Sequence, residues 1–179
     1  MLKEISLKQL IWLLPVVYLI HNIEEGLTMA GWLGEHSSAL PVLFYKLLPV
    51  RFWEKFSIIR TLALLIAFLI PLILAFFHRY KDKYRFIVLL FVLAGWITFI
   101  NGLQHVFFTL LLQTYTPGIV TAIFIILPFS LGLIISIERE YPWLRAQRIK
   151  WLVISIICYF PLIFFIWAVS TLLCILFYY

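Results

Sequence analysis

FIVLLFVLAGWITFINGLQHVFFTLLLQTYTPGIVTAIFIILPFSLGLIISI, residues 86–137, contains no Asp, Glu, Lys or Arg. A spanning helix takes about 20 apolar residues, so this stretch is too long for one crossing and must turn. The turn is legible at Gln113-Thr114-Tyr115-Thr116-Pro117-Gly118, where Pro117 suits the first turn of a following helix. Two spans joined by a tight hairpin result. The period-two alternation of a barrel strand is absent, so the spans are helices.

The rest of the chain reads the same way. Of its 179 residues, 65% are hydrophobic and only 12% charged, far from a soluble composition. We expect an all-α integral membrane protein, a single domain of about five transmembrane helices at 7–33, 58–77, 86–112, 118–137 and 151–177. Residues 40–56 mix Leu, Phe and Trp with Lys46, Arg51, Glu54 and Lys55 and read as a short interfacial segment broken at Pro49. Pro15, Pro71, Pro128 and Pro161 fall inside spans and read as kinks. No internal repeat or separate soluble domain is visible.

The net charge of +6 lies in short clusters between the spans. Topology and anionic headgroups explain it better than nucleic acid, so the expected partner is membrane lipid, with homo-oligomerisation left open. Ten of the fourteen Lys and Arg residues fall on the side shared by the N-terminus, the 79–85 loop and the 139–150 loop. The positive-inside rule then expects a multi-pass cell-membrane protein with a cytoplasmic N-terminus and an outward C-terminus. The first apolar run carries His21, Glu24 and Glu25 and lacks a small-residue cleavage site, so it reads as a retained span and not a signal peptide. Cys158 and Cys174 both lie in the last span and read as packing residues.

Glu24 and Glu25 set the chemical problem. An ionised carboxylate near the bilayer centre costs roughly 2.5–3.5 kcal/mol on insertion scales, so something must compensate this adjacent pair. His21, Glu24 and Glu25 fan over about 100° of helix and can face one interior. In the third span Asn101 and His105 share a face, flanked by Thr98, Gln104 and Thr109. At a rise of about 1.5 Å per residue the two clusters begin roughly 21 Å and 22 Å into parallel spans and therefore share a level. The hairpin with Tyr115, Thr116 and Pro117 lies just beyond them, and Thr121 is one turn into span four.

Imidazole plus carboxylate suits Zn²⁺, Fe²⁺ or Mn²⁺, and a divalent ion would offset the two charges. The expected metal ligands are His21, Glu24, Glu25 and His105. Three protein ligands suffice for a catalytic site, so Glu25 or Glu24 is free to act as base. Asn101, Thr121 and Tyr115 are the expected substrate-orienting residues.

His21-Asn22-Ile23-Glu24-Glu25 resembles the motif that names the HXXEE family of small, uncharacterised bacterial membrane proteins. Asn101-Gly102-Leu103-Gln104-His105 and the run from Tyr115 to Thr121 look like later signature segments of that family. The resemblance supports the site and implies no particular reaction. From the residues, the leading reading is a metal-dependent hydrolase of a lipid or lipid-linked substrate. An oxidative di-metal version is weaker, because the acids occur only in span one. The alternative is a proton- or cation-coupled small transporter using the Glu/His cluster. A lesser alternative makes His21 and His105 axial ligands of a b-type haem.

Overall fold

The computed structural model describes residues 5–36, 55–81 and 83–178. The expected interfacial segment 40–56 lies outside the described residues except for its last two positions. Five helices are long and apolar enough to cross a membrane. They are α1 (Leu7–His36), α2 (Phe56–Phe76), α3 (Arg85–Leu112), α4 (Ile119–Glu140) and α5 (Arg148–Tyr178). A tight helical turn, Phe77–Tyr80, extends α2, and another, Pro142–Gln147, leads into α5.

Helix ends outrun the apolar runs where charges are paired. Helix α4 continues to Glu140 because Arg148 closes a fork on Glu138, donating from Nε to Oε1 at 2.8 Å and from Nη2 to Oε2. Lys81 pairs with Glu140 at the same end and also donates to the Tyr141 hydroxyl at 3.2 Å. Pro117 does not open α4, as the sequence suggests. Gly118 caps that helix at φ 86°, and a conformation with positive φ falls to the glycine rather than to its ring-constrained neighbour.

The principal helix contacts run α1 to α2, α2 to α5, α5 to α3, α3 to α4 and α4 back to α1, a closed ring in which the last helix is inserted between the second and third. The ring is apolar at one end, where Ile11, Leu14, Phe91, Leu133 and Ile137 are almost fully buried. Its outer surface carries exposed apolar side chains such as Leu27, Phe107, Phe124 and Phe164, the face that lipid would cover.

Close approach of α3 and α4 depends on Gly102. A Cβ there would lie 2.9 Å from Ile126 Cγ2 and Leu127 Cδ2. On α4 this contact falls where the helix widens into a π-type turn, Ala122–Ile126. Pro128 follows directly and has no N–H for the regular ladder, which accounts for the wider turn. One helical turn beyond Gly102 on α3 is His105.

Candidate metal centre

His21 and Glu25 are one turn apart on α1 and therefore share a face. His21 is 1% exposed, His105 is buried, and their Nε2 atoms are 3.2 Å apart across the ring. Glu25 Oε1 lies 3.6 Å from His105 Nε2. One ligand atom from each of His21, Glu25 and His105 lies within 4.8 Å of the others. Ligand atoms around a tetrahedral zinc stand about 3.3 Å apart, so the spacing suits a divalent ion.

The imidazoles are oriented from behind. His21 Nδ1 lies 2.7 Å from Thr121 Oγ1, and the Thr121 hydroxyl donates to the Gly118 carbonyl at 3.2 Å. With its proton committed there, Thr121 accepts from Nδ1–H and leaves His21 Nε2 with a free lone pair. His105 bonds the Pro117 backbone. Its Nε2 already faces His21 and Glu25, so Nδ1–H is the group that reaches the Pro117 carbonyl. Two imidazole Nε2 atoms and a carboxylate thus converge on one point. Metal-ligating histidines characteristically hold their second nitrogen on a hydroxyl, carbonyl or carboxylate in this manner.

The hairpin that supplies these partners is pinned to the end of α3. Gln113 ends that helix in the left-handed region, at φ 53°, and its side-chain amide donates to the Leu110 carbonyl at 2.8 Å. The Thr109 and Thr116 hydroxyls hydrogen-bond at 2.5 Å, and Thr116 also donates to the His105 carbonyl at 3.4 Å. His36 Nε2 lies 3.2 Å from the Thr114 hydroxyl and ties in the end of α1. Gly118 is then laid against the centre. A Cβ built on it would stand 2.8 Å from Cε1 of both His21 and His105 and 3.0 Å from Glu25 Cγ.

Glu24, adjacent to Glu25, does something different. A glycine N-cap has no side chain to satisfy the first amides of α4, and Glu24 reaches across from α1 to do so. Its carboxylate accepts from the Thr121 N–H at 2.7 Å, the Val120 N–H at 3.2 Å and the Tyr115 hydroxyl at 2.8 Å. Negative charge at a helix N-terminus is also favoured by the helix dipole. Desolvation, reinforced by the Glu24 carboxylate, holds the Tyr115 phenol above its ordinary range, so it remains a donor. Glu24→Gln is expected to cost about 1 kcal/mol of stability through the weakened cap, read as a lower melting temperature. Metal content should fall far less than in Glu25→Gln. Equal metal loss in the two variants would show that both glutamates are ligands.

Three of the four expected ligands are therefore grouped, while Glu24 sits on the cap of α4. Of the expected substrate-orienting residues, Thr121 holds His21 and Tyr115 holds Glu24. Asn101 points its amide toward α5, donating to the Tyr159 hydroxyl at 3.2 Å. Tyr159 in turn donates to Gln104 Oε1 at 2.5 Å. Tyr18 and Thr98 share a further hydrogen bond at 3.2 Å, and both tyrosines lie within electrostatic reach of Glu25. A polar layer thus backs the centre on the α1, α3 and α5 sides.

Sequence reading missed Gly118, Tyr159 and Arg60 as neighbours of the centre. Arg60 falls within the expected span 58–77, although the charge count leaves it with the opposite-side cations; in the structure it lies inside α2, 9% exposed, and acts electrostatically on Glu25. The signal was available: Arg60 interrupts an apolar run that has already begun at Ile58 and Ile59. Its height follows from Asn22, which donates to the Leu64 carbonyl at 2.7 Å, one turn from Arg60 on the same face. Burying an unpaired guanidinium costs several kcal/mol.

A family model described as protein of unknown function with HXXEE motif matches residues 12–133. The match takes in α1 from its second turn, α2, α3 and most of α4, with His21, Glu24, Glu25, Arg60, His105, Gly118 and Thr121 all inside it. Neither a curated protein nor a solved structure matches the chain.

Proposed function

The chain belongs to the family of proteins with an HXXEE motif, and on that premise we propose that His21, Glu25 and His105 hold a divalent metal ion in a membrane hydrolase acting on a lipid or lipid-linked substrate. The observation that carries the reading is the convergence of two Nε2 lone pairs and one carboxylate, with both Nδ1 atoms already held by Thr121 and Pro117. Zinc, iron(II) and manganese(II) all suit that donor set. A divalent ion there supplies Lewis acidity and a nucleophile at neutral pH.

The chain's own residues divide the remaining work. Thr121 and the Pro117 carbonyl fix the imidazole tautomers, Glu24 anchors the hairpin against α1, and Gly118 keeps backbone rather than side chain over the centre. Substrate orientation falls to Asn101, whose buried Oδ1 has no hydrogen-bond partner among the described residues. A haem is disfavoured sterically. Axial ligands stand on opposite faces of a macrocycle, and nitrogens 3.2 Å apart under the Gly118 backbone leave no plane for one. We place the centre in the outward half of the bilayer. Of the four Lys and Arg residues on the opposite side, Lys46, Arg51, Lys55 and Arg60, the last is buried inside the bundle, so three loop cations face ten, which supports that orientation.

The test pairs metal analysis of the purified protein with lipid profiling of a deletion strain. About one divalent ion per chain is expected, as in mononuclear catalytic sites, together with accumulation of one lipid class. Absence of metal, or substrate-coupled flux in proteoliposomes that survives chelation, would overturn the reading in favour of a carrier.

A further inference from the structure

Arg60 has no assigned partner beside a site rich in polar contacts. Among the described residues its Nε and Nη1 are buried without a hydrogen-bond partner, and it forms no ion pair. An arginine that snorkels toward an interface keeps its head in water, whereas this one is 9% exposed. A plain counter-ion to Glu25 would be in contact with it, yet Glu25 approaches His105 instead. The donors are therefore presented rather than consumed.

The charges lead to the same place. With neutral histidines, Glu24 and Glu25 contribute two negative charges, and Arg60 with a divalent ion contributes three positive ones. The loaded centre has an excess of one positive charge in a setting from which water is largely excluded, where an anion is strongly held. A second buried donor without an acceptor, Trp32 Nε1, lies two turns beyond Glu25 on the same face of α1. Trp32 stacks on His36, which reaches the hairpin, so this donor stands at the Gly118 end of the bundle.

We propose that Arg60 recognises a phosphoryl oxyanion of the substrate, making the centre selective for phosphate-bearing molecules over neutral esters and amides. This deepens the metal-hydrolase reading and rests on it for the reaction, but not for the binding. A guanidinium offers a planar fork matched to phosphate oxygens, and pairing arginine with a divalent cation is a recurrent way to hold a phosphoryl group. The phosphate can be a lipid headgroup or a free anion, and both are probed.

The experiment uses the full chain in nanodiscs of neutral lipid, with dioleoyl phosphatidic acid, dioleoylglycerol and inorganic phosphate as ligands. Wild type is expected to bind phosphatidic acid and not dioleoylglycerol. Arg60→Gln should weaken phosphatidic acid binding about 10–100-fold, the loss expected for a hydrogen bond to a charged group, at unchanged metal content. Binding of inorganic phosphate with the same dependence on Arg60, and without phosphatidic acid binding, assigns the site to a free anion. Binding of both ligands unaffected by Arg60→Gln overturns the proposal. If that variant does not fold, Arg60→Lys keeps the charge without the fork. A several-fold loss of phosphatidic acid affinity is then expected, and unchanged affinity overturns the proposal. Wild type that purifies without metal and cannot be loaded with it, yet binds phosphatidic acid through Arg60, would refute the metal reading alone, whereas metal-loaded protein whose phosphatidic acid binding is unchanged by Arg60→Gln would refute the oxyanion site alone.

Discussion

The His105→Ala protein, purified in mild detergent, is expected to retain its helices and to lose its bound metal. His105 is the member of the group that meets both others, with Nε2 3.2 Å from His21 and 3.6 Å from Glu25. Its removal leaves one imidazole and one carboxylate, both from α1, and opens the polar space they faced. Loss of a supporting hydrogen bond to a ligand typically costs 10–100-fold in metal affinity, so loss of the ligand itself should exceed about 100-fold. Elemental analysis after dialysis reads the loss, and circular dichroism reports that the bundle persists. Wild-type metal content in this variant would remove the centre from consideration.

Gly118→Ala is expected to have a comparable effect with every ligand still present. At φ 86° an alanine is strained by roughly 1–2 kcal/mol before any contact is counted. Its methyl would then stand 2.8 Å from a ring carbon of each histidine and 3.0 Å from Glu25 Cγ. Neither ring can swing aside freely, because Thr121 and Pro117 hold them. The hairpin lifts or the ligands spread, and metal is lost either way. Gly132→Ala is the matched control on the same helix, with nothing within 4 Å of the added carbon. There a small gain in helix stability is expected. If Gly118→Ala binds metal as tightly as Gly132→Ala, the close packing of the hairpin on the centre has no functional weight.

The five long apolar helices were legible because uncharged runs of the required length have few alternatives, and the shared level of His21 and His105 followed from helical rise. Other features depend on tertiary facts that no local pattern encodes. The two glutamates differ in role because an uncapped α4 N-terminus happens to face one of them. The weight on Gly118 follows from its φ and from what lies under it. Arg60 is one of the opposite-side cations by count, and only its burial within α2 sets it apart. Placement of α5 between α2 and α3 was likewise invisible, and with it the link from Asn101 to Tyr159.

The order in which these groups are synthesised adds a constraint on biogenesis. Helix α1 is the least apolar of the five, yet it is made first, and it carries His21, Glu24 and Glu25 before any of their partners in α3 and α4 exist. Helix α2 follows directly with Arg60, of opposite charge and within electrostatic reach of Glu25. The first two helices can therefore partition into the bilayer as a hairpin whose charges partly cancel, a cheaper entry than α1 would have alone. The carboxylates wait in that hairpin for α3 to bring His105 and for the 113–118 turn to bring Gly118, so the grouped side chains of the site come together only late in synthesis.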